Sequence, residues 1–204
     1  MANDDVKYFT GLDLGQTAEF TGLAVLERTT GPDAEQPDRT LKRYAVRHLE
    51  RFPLGTPFPE ICTRLVDLFS APPLAHTTLV VDLTAVGQPV MNLLRRARLR
   101  ALIRPVTITA GDRDSIDDRG VWSAPRKELV STLQLLLQSR RMKVTPNLPE
   151  SATLVRELMR FRTKPTLSAN DALEVWRERP HDDLVLAVAV AAWLGERLKE
   201  FWIR

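Results

Sequence analysis

The sequence predicts a mixed α/β fold with an antiparallel opening portion. Three β-favouring runs lie close together near the start, the middle alternates strand, helix, strand, and a long alanine-rich run near the end has the make-up of a buried helix. Residues 7–14 read as a strand running into a Gly15-Gln16 turn, residues 20–28 as a second strand interrupted at Gly22, and residues 41–51 as a third. Turn-forming Gly, Pro and Asp fill residues 29–40. Strands this close in sequence are best joined as an antiparallel meander.

Residues 57–70 set Ile61, Leu65, Leu68 and Phe69 on one helical face, and Pro72-Pro73 ends that pattern. Residues 77–83 form a nearly continuous β-favouring run, which suits a central strand covered on both faces. A helix over 87–99 and a strand over 103–110 then complete the alternation expected of parallel crossover units. Residues 111–120 are polar and turn-rich, a loop. Residues 123–141 predict a helix with Ser123 as N-cap and Leu129, Leu133, Leu136 and Leu137 on its apolar face. A short strand over 142–145, a basic amphipathic helix over 150–162 and a β-hairpin over 161–177 follow, before the apolar helix of residues 184–194.

The 204 residues suit one domain spanning the chain, with a sizeable core. Hydrophobic residues at 44% and charged residues at 27% exclude a disordered chain. The longest apolar run, residues 184–194, is well short of the roughly 20 residues of a membrane helix, and no membrane association is expected. Met1-Ala2-Asn3-Asp4-Asp5 lacks the basic flank and apolar stretch of a secretory signal, so the chain is expected to stay in the cytoplasm. The single cysteine, Cys62, excludes an internal disulfide and a cysteine-based zinc site. A net charge of +3 identifies no partner, but basic residues gather at Arg95, Arg96, Arg98, Arg100 and Arg104, and again at Arg156, Arg160, Arg162 and Lys164. Taken alone, each cluster reads as a solvated helix face; taken together with an anionic substrate, each is a phosphate-facing surface.

Three aspartate settings carry the chemistry. Asp13 ends the first strand between Gly11 and Gly15, Asp82 ends the run Leu79-Val80-Val81, and His181-Asp182-Asp183 opens the apolar helix. Each has an ordinary explanation as a turn or cap residue. In open α/β sheets, however, ligands collect at the carboxyl ends of strands. Carboxylates brought together beside apolar strands repel one another and lose hydration, and a divalent cation is the simplest compensation. The helix dipole favours ionised acids in the first turn of the last helix. Asp182 and Asp183 point about 100° apart on a helix, so they do not face a shared metal in the same way, and the choice between them stays open. His181 is an accessory candidate, as a ligand or proton shuttle.

In order, these segments resemble the nuclease domain of the large subunit of phage terminases, a branch of the RNase H-like fold shared with Holliday-junction resolvases. The resemblance rests on Gly11-Leu12-Asp13-Leu14-Gly15-Gln16, on Val81-Asp82-Leu83-Thr84-Ala85-Val86-Gly87, on the leucine-rich helix after Arg126-Lys127-Glu128-Leu129, and on His181-Asp182-Asp183-Leu184-Val185-Leu186-Ala187. It implies a central mixed sheet of three antiparallel strands followed by parallel ones, helices on both faces, and a small β-hairpin before the last helix. It also implies that Asp13, Asp82 and one or both of Asp182 and Asp183 are catalytic and bind two Mg²⁺ or Mn²⁺ ions, a pair suited to in-line phosphodiester displacement at a spacing of about 4 Å.

The implied activity is an endonuclease of weak sequence preference. Double-stranded DNA would be held by Arg95, Arg96, Arg98, Arg100, Arg126, Lys127, Arg160, Arg162 and Lys164. The sequence has no Walker-type glycine-lysine loop, which leaves two readings open: an excised nuclease domain, or a stand-alone relative to which other chains would supply a packaging ATPase or portal, in either case in the cytoplasm of a bacterial host of a phage or prophage. Two other readings stand beside it. One is a DNA-binding module of the same fold with little cleavage alone. The other is an actin-like phosphate- or ATP-binding fold, whose first strand also ends in an Asp-Leu-Gly turn.

Overall fold

The structure, a computed structural model, describes residues 5–15, 19–33, 35, 36, 38–161 and 182–198. Strands β1 (Asp5–Asp13), β2 (Thr21–Pro32) and β3 (Thr40–Phe52) form the expected antiparallel meander. Helix α1 (Phe58–Leu68) leads to β4 (Thr78–Asp82), helix α2 (Gly87–Arg96) and β5 (Leu102–Thr109). The two-residue β6 (Ser115–Ile116), β7 (Trp122–Pro125), helix α3 (Arg126–Gln138) and β8 (Met142–Val144) follow. Helix α4 (Ser151–Arg160) and helix α5 (Asp183–Arg197) complete the described elements. The strands make one eight-stranded sheet in the order β6-β7-β5-β4-β1-β2-β3-β8, with β1, β4, β5 and β7 mutually parallel.

The alternation of side chains along the strands divides the core in two. Phe9, Ala24, Leu26, Val80 and Val106 face α3, α4 and α5. Leu12, Leu23, Val25, Leu79 and Val81 face Ile61 and Leu65 of α1 and Val90, Met91 and Leu94 of α2. Both faces of the central strands are therefore covered, which is why residues 79–81 are uninterrupted apolar residues rather than an alternating pattern. Each large side chain taken fully out of water here contributes about 1.5–3 kcal/mol.

Helix α5 is the centre of the first layer. Every residue from Leu184 to Leu194 is buried, as an all-round apolar helix requires. It lies close on the sheet because Gly11 and Gly22 have no side chain beneath it. A Cβ on Gly11 would stand 1.9 Å from the Ala187 carbonyl oxygen, and one on Gly22 would stand 2.5 Å from that of Asp183. At the far end of α5, Lys42 Nζ donates to the carbonyls of Gly195, Glu196 and Leu198 at 3.0, 2.7 and 3.0 Å. The buried Arg28 donates to the Gly195 carbonyl at 2.7 Å. Cations at these carbonyls complement the negative end of the helix dipole.

Two segments differ from expectation. Inside the expected loop over 111–120, Ser115–Ile116 pair antiparallel with β7. Residues 122–125 are strand, not helix, and Ser123 pairs with Thr107 of β5 instead of capping α3. Pro125 explains it: a proline disfavours helical backbone at the residue before it, so Ala124 stays extended and the helix begins at Arg126. The hairpin expected over 161–177 lies outside the described residues, Phe161 apart. No described helix is long and apolar enough to cross a membrane.

Candidate active site at the carboxyl edge of the sheet

Strand register brings the first two acids together. Asp13 and Asp82 are direct partners on the adjacent parallel strands β1 and β4, on the sheet face that α5 covers. The same row continues through Gly22 on β2, opposite Asp13, to Arg51 on β3, opposite Gly22. Over the glycine gap sits the first turn of α5, with Asp182 at the N-cap position and Asp183 as the first helical residue, both buried.

Asp82 is held in place by its own turn. Its Oδ1 accepts from the Thr84 backbone N–H at 2.8 Å and from the Thr84 hydroxyl at 2.5 Å, while the Thr84 hydroxyl accepts from Ile108 N–H of β5 at 2.8 Å. Burial pushes the Asp82 carboxyl up to about 6, against these two hydrogen bonds, which favour the charged form. Asp13, half-buried, is raised well above the usual carboxylate range by burial and then by the charges of Asp82, Asp183, Glu19 and Glu157.

Two residues of this site escaped the sequence reading. Glu157, inside α4, is buried, and its Oε2 accepts from the Val185 N–H at 2.9 Å. It thus satisfies an orphan donor of the first turn of α5, a task usually taken by the N-cap side chain, and Asp182 makes no such cap bond. Burial, followed by the nearby Asp183 charge, lifts the Glu157 carboxyl to about 8, with the Val185 N–H and Arg51 opposing. Arg51 donates to Asp183 Oδ1 at 2.7 Å. The available signals were a charge on the apolar face of α4, between Leu154 and Phe161, and an arginine two residues beyond Leu49 on the same strand face.

The donor chemistry fits a hard divalent cation. All the groups are carboxylates, and Asp183 Oδ2 and Glu157 Oε1 are buried without a hydrogen-bond partner among the described residues. As arranged, no three His, Cys, Asp or Glu side chains among the described residues converge on one ion, and Arg51 holds one oxygen of Asp183. Asp13 and Asp82 lie side by side on adjacent strands, and Asp182 and Asp183 head α5 beside Glu157.

The basic residues divide. Arg126 opens α3 directly after β7, at the carboxyl edge where the acids lie, and the exposed Lys127 pairs with Asp112 at 2.5 Å. Arg156 and Arg160 project to solvent from α4, the helix that carries Glu157. Arg95, Arg96, Arg98 and Arg100 are also exposed, yet they lie around the end of α2 and the turn into β5, level with the start of β4. Four strand residues, about 13 Å, separate that edge from Asp82. The structure does not bring these four arginines to the acids, and Arg100 instead ties the Ser70 carbonyl and His76, at 3.0 Å each. Arg162, Lys164 and His181 lie outside the described residues.

No protein-family model matches the sequence, and no curated protein matches it. Solved structures do match. The large terminase nuclease from thermophilic phage G20c superposes with a TM-score of 0.57 at 22% identity, over 92% of this chain and 81% of that one. The human cytomegalovirus terminase nuclease domain, Mn soaked, superposes with a TM-score of 0.52 at 16% identity, over 95% of this chain and 86% of that one. With its antiparallel β1-β2-β3 meander, parallel β4 and β5 and the acid-headed α5, the chain has the RNase H-like fold of these terminase nuclease domains.

Proposed function

We propose that this chain is a metal-dependent endonuclease that hydrolyses phosphodiester bonds of double-stranded DNA with weak sequence preference. The observation that supports the reading most is the placing of Asp13 beside Asp82 on adjacent parallel strands, under the acid-bearing first turn of α5. The shared fold with two terminase nuclease domains, one of them Mn soaked, supports it further. Asp13, Asp82 and Asp183 would hold Mg²⁺ or Mn²⁺, with two ions in the full site and Asp182 as the neighbouring alternative. When bound, such ions supply charge stabilisation at the attacking and leaving oxygens of an in-line displacement.

The chain's own residues prepare this chemistry. Thr84 orients Asp82, and Glu157 fixes the first turn of α5 through Val185 N–H. In this reading Arg126, Lys127, Arg156 and Arg160 would contact the phosphates of a duplex laid over the carboxyl edge, positioning DNA without reading its bases. The setting we infer is phage or prophage DNA packaging in a bacterial cytoplasm, alongside a packaging ATPase and portal.

The test is incubation of supercoiled plasmid with the protein. Nicked or linear product is expected with Mn²⁺ or Mg²⁺ and none with EDTA, and Asp82→Ala is expected to abolish cleavage. Equal cleavage by the Asp82→Ala protein would sink the reading. The Arg51–Asp183 ion pair, and the absence of three converging donors among the described residues, favour a second reading as a DNA-binding module of the same fold. Salt-sensitive DNA binding with no cleavage across several metals would select it.

A further inference from the structure

Arg51 has an unusual seat for a strand arginine. It lies opposite Gly22, and the missing side chain there leaves it a path across β2 to the first turn of α5. Its guanidinium stacks over the Phe20 ring, 3.9 Å from the centroid, and Nη2 reaches Asp183 Oδ1 at 2.7 Å. The Arg51 side chain is 17% exposed and that of Asp183 only 6%. The other oxygen of Asp183, Oδ2, is buried with no hydrogen-bond partner among the described residues. One carboxylate thus has one oxygen engaged by a fixed cation and the other bare, within the electrostatic reach of Asp13 and Glu157.

A guanidinium and a divalent cation compete for the same negative charge, and a carboxylate holding one binds the other less well. Resting on the metal-dependent reading above, we propose that Arg51 is a resident counter-cation of Asp183 that competes with the divalent metal. It holds the carboxylate while metal is absent and sets how tightly the α5 side of the site takes metal. Arg51 is a positioning residue, because it acts through Asp183. No covalent bond changes; the exchange is one cation for another. The pair also explains how a cluster of buried acids is tolerated by the metal-free chain, since one of its charges is already compensated.

The test is Mn²⁺ binding by isothermal titration calorimetry to the wild-type chain, Arg51→Met and Arg51→Lys, without DNA and independent of cleavage. Removing a unit positive charge beside the site is expected to tighten Mn²⁺ binding about tenfold in Arg51→Met. Arg51→Lys keeps the charge and is expected to bind like the wild type. Unchanged or weaker binding by Arg51→Met overturns the inference while leaving the metal reading intact. No Mn²⁺ binding by any of the three proteins overturns both. If Arg51→Met does not fold, the wild-type chain carries the test through the Arg51 Nε–H resonance, assigned by its loss in Arg51→Lys. That signal should shift in step with a Mg²⁺ titration, and a signal that stays fixed through saturation overturns the inference.

Discussion

Replacing Gly11 by alanine asks whether the close seating of α5 on β1 builds the site. The new Cβ would lie 1.9 Å from the Ala187 carbonyl oxygen, 2.8 Å from its carbon and 3.1 Å from Ala191 Cβ. An ordinary carbon–oxygen contact needs about 3.2 Å, so helix and strand must separate by more than about 1 Å, which close-packed interiors resist. Overpacking of this kind costs about 1–3 kcal/mol, and the reduced freedom of the unfolded chain returns about 0.4–1 kcal/mol. The net loss is about 1–2 kcal/mol, a fall in Tm of about 2–8 °C for a chain of this size. Ala187 is one helical turn along α5 from Asp183, so the same displacement moves Asp183 away from Asp13. A misplacement of about 1 Å can cost about a hundredfold in rate. Mn²⁺ binding only to the folded chain is expected to raise the wild-type Tm, and Gly11→Ala should lose both thermal stability in EDTA and that increase. Adding Ala187→Gly should not rescue it, because the clash is with backbone. A Gly11→Ala protein that keeps the wild-type Tm and its full Mn²⁺ response would refute the argument, and rescue by Ala187→Gly would refute its geometry.

Two further outcomes follow from the charges around α5. Burial raises Asp82 to about 6 and Glu157 to about 8, so the folded chain holds protons there that the unfolded chain releases near pH 4. Their stabilising contribution is complete below the unfolded values and is lost as pH rises through the folded ones, so Tm in EDTA should fall between about pH 4 and pH 8. Glu157→Gln should flatten the upper part of that fall, and millimolar Mg²⁺ at pH 8 should recover much of the loss; a Tm independent of pH in EDTA contradicts the charge assignment. Lys42→Met removes three donors from the last carbonyls of α5 and should cost about 2 kcal/mol, measured by urea denaturation, whereas a cost below about 0.5 kcal/mol would show that the contact adds little.

The sheet was legible in the sequence wherever local pattern and packing agreed. The runs at 7–14, 20–28 and 77–83 are strands because their residues suit a pleated surface covered on both faces, and they were read as such. Asp13 and Asp82 were legible for the same reason: a carboxylate ending such a strand stands out. Their register was not, since pairing between β1 and β4 depends on the crossover through α1. Ser123 misled because a serine before a leucine-rich stretch looks like a cap, although Pro125 keeps the backbone before it extended. Glu157 and Arg51 were hidden for a different reason. Spacing puts each on the inward face of its own element, but a lone charge there names no partner, and only the tertiary approach of α4 and β3 to the first turn of α5 supplies one.

The position of α5 is over-determined, and the acid cluster depends on that. Two glycine contacts set its height above the sheet, Glu157 and Arg51 hold its first turn, and Lys42 and Arg28 hold its last carbonyls some 22 Å away at 1.5 Å per residue. A helix that is apolar on every side has little side-chain chemistry to set its rotation or its slide along the sheet, so these polar contacts at its two ends supply both. Asp183 carries a buried charge whose repulsion with Asp13 would drive the first turn of α5 outward if that turn were free to move. Arg51 offsets part of this repulsion directly, whereas Lys42 and Arg28, at the other end, act only by holding the helix in place. The same clamps make the site sensitive to substitutions that touch none of its acids.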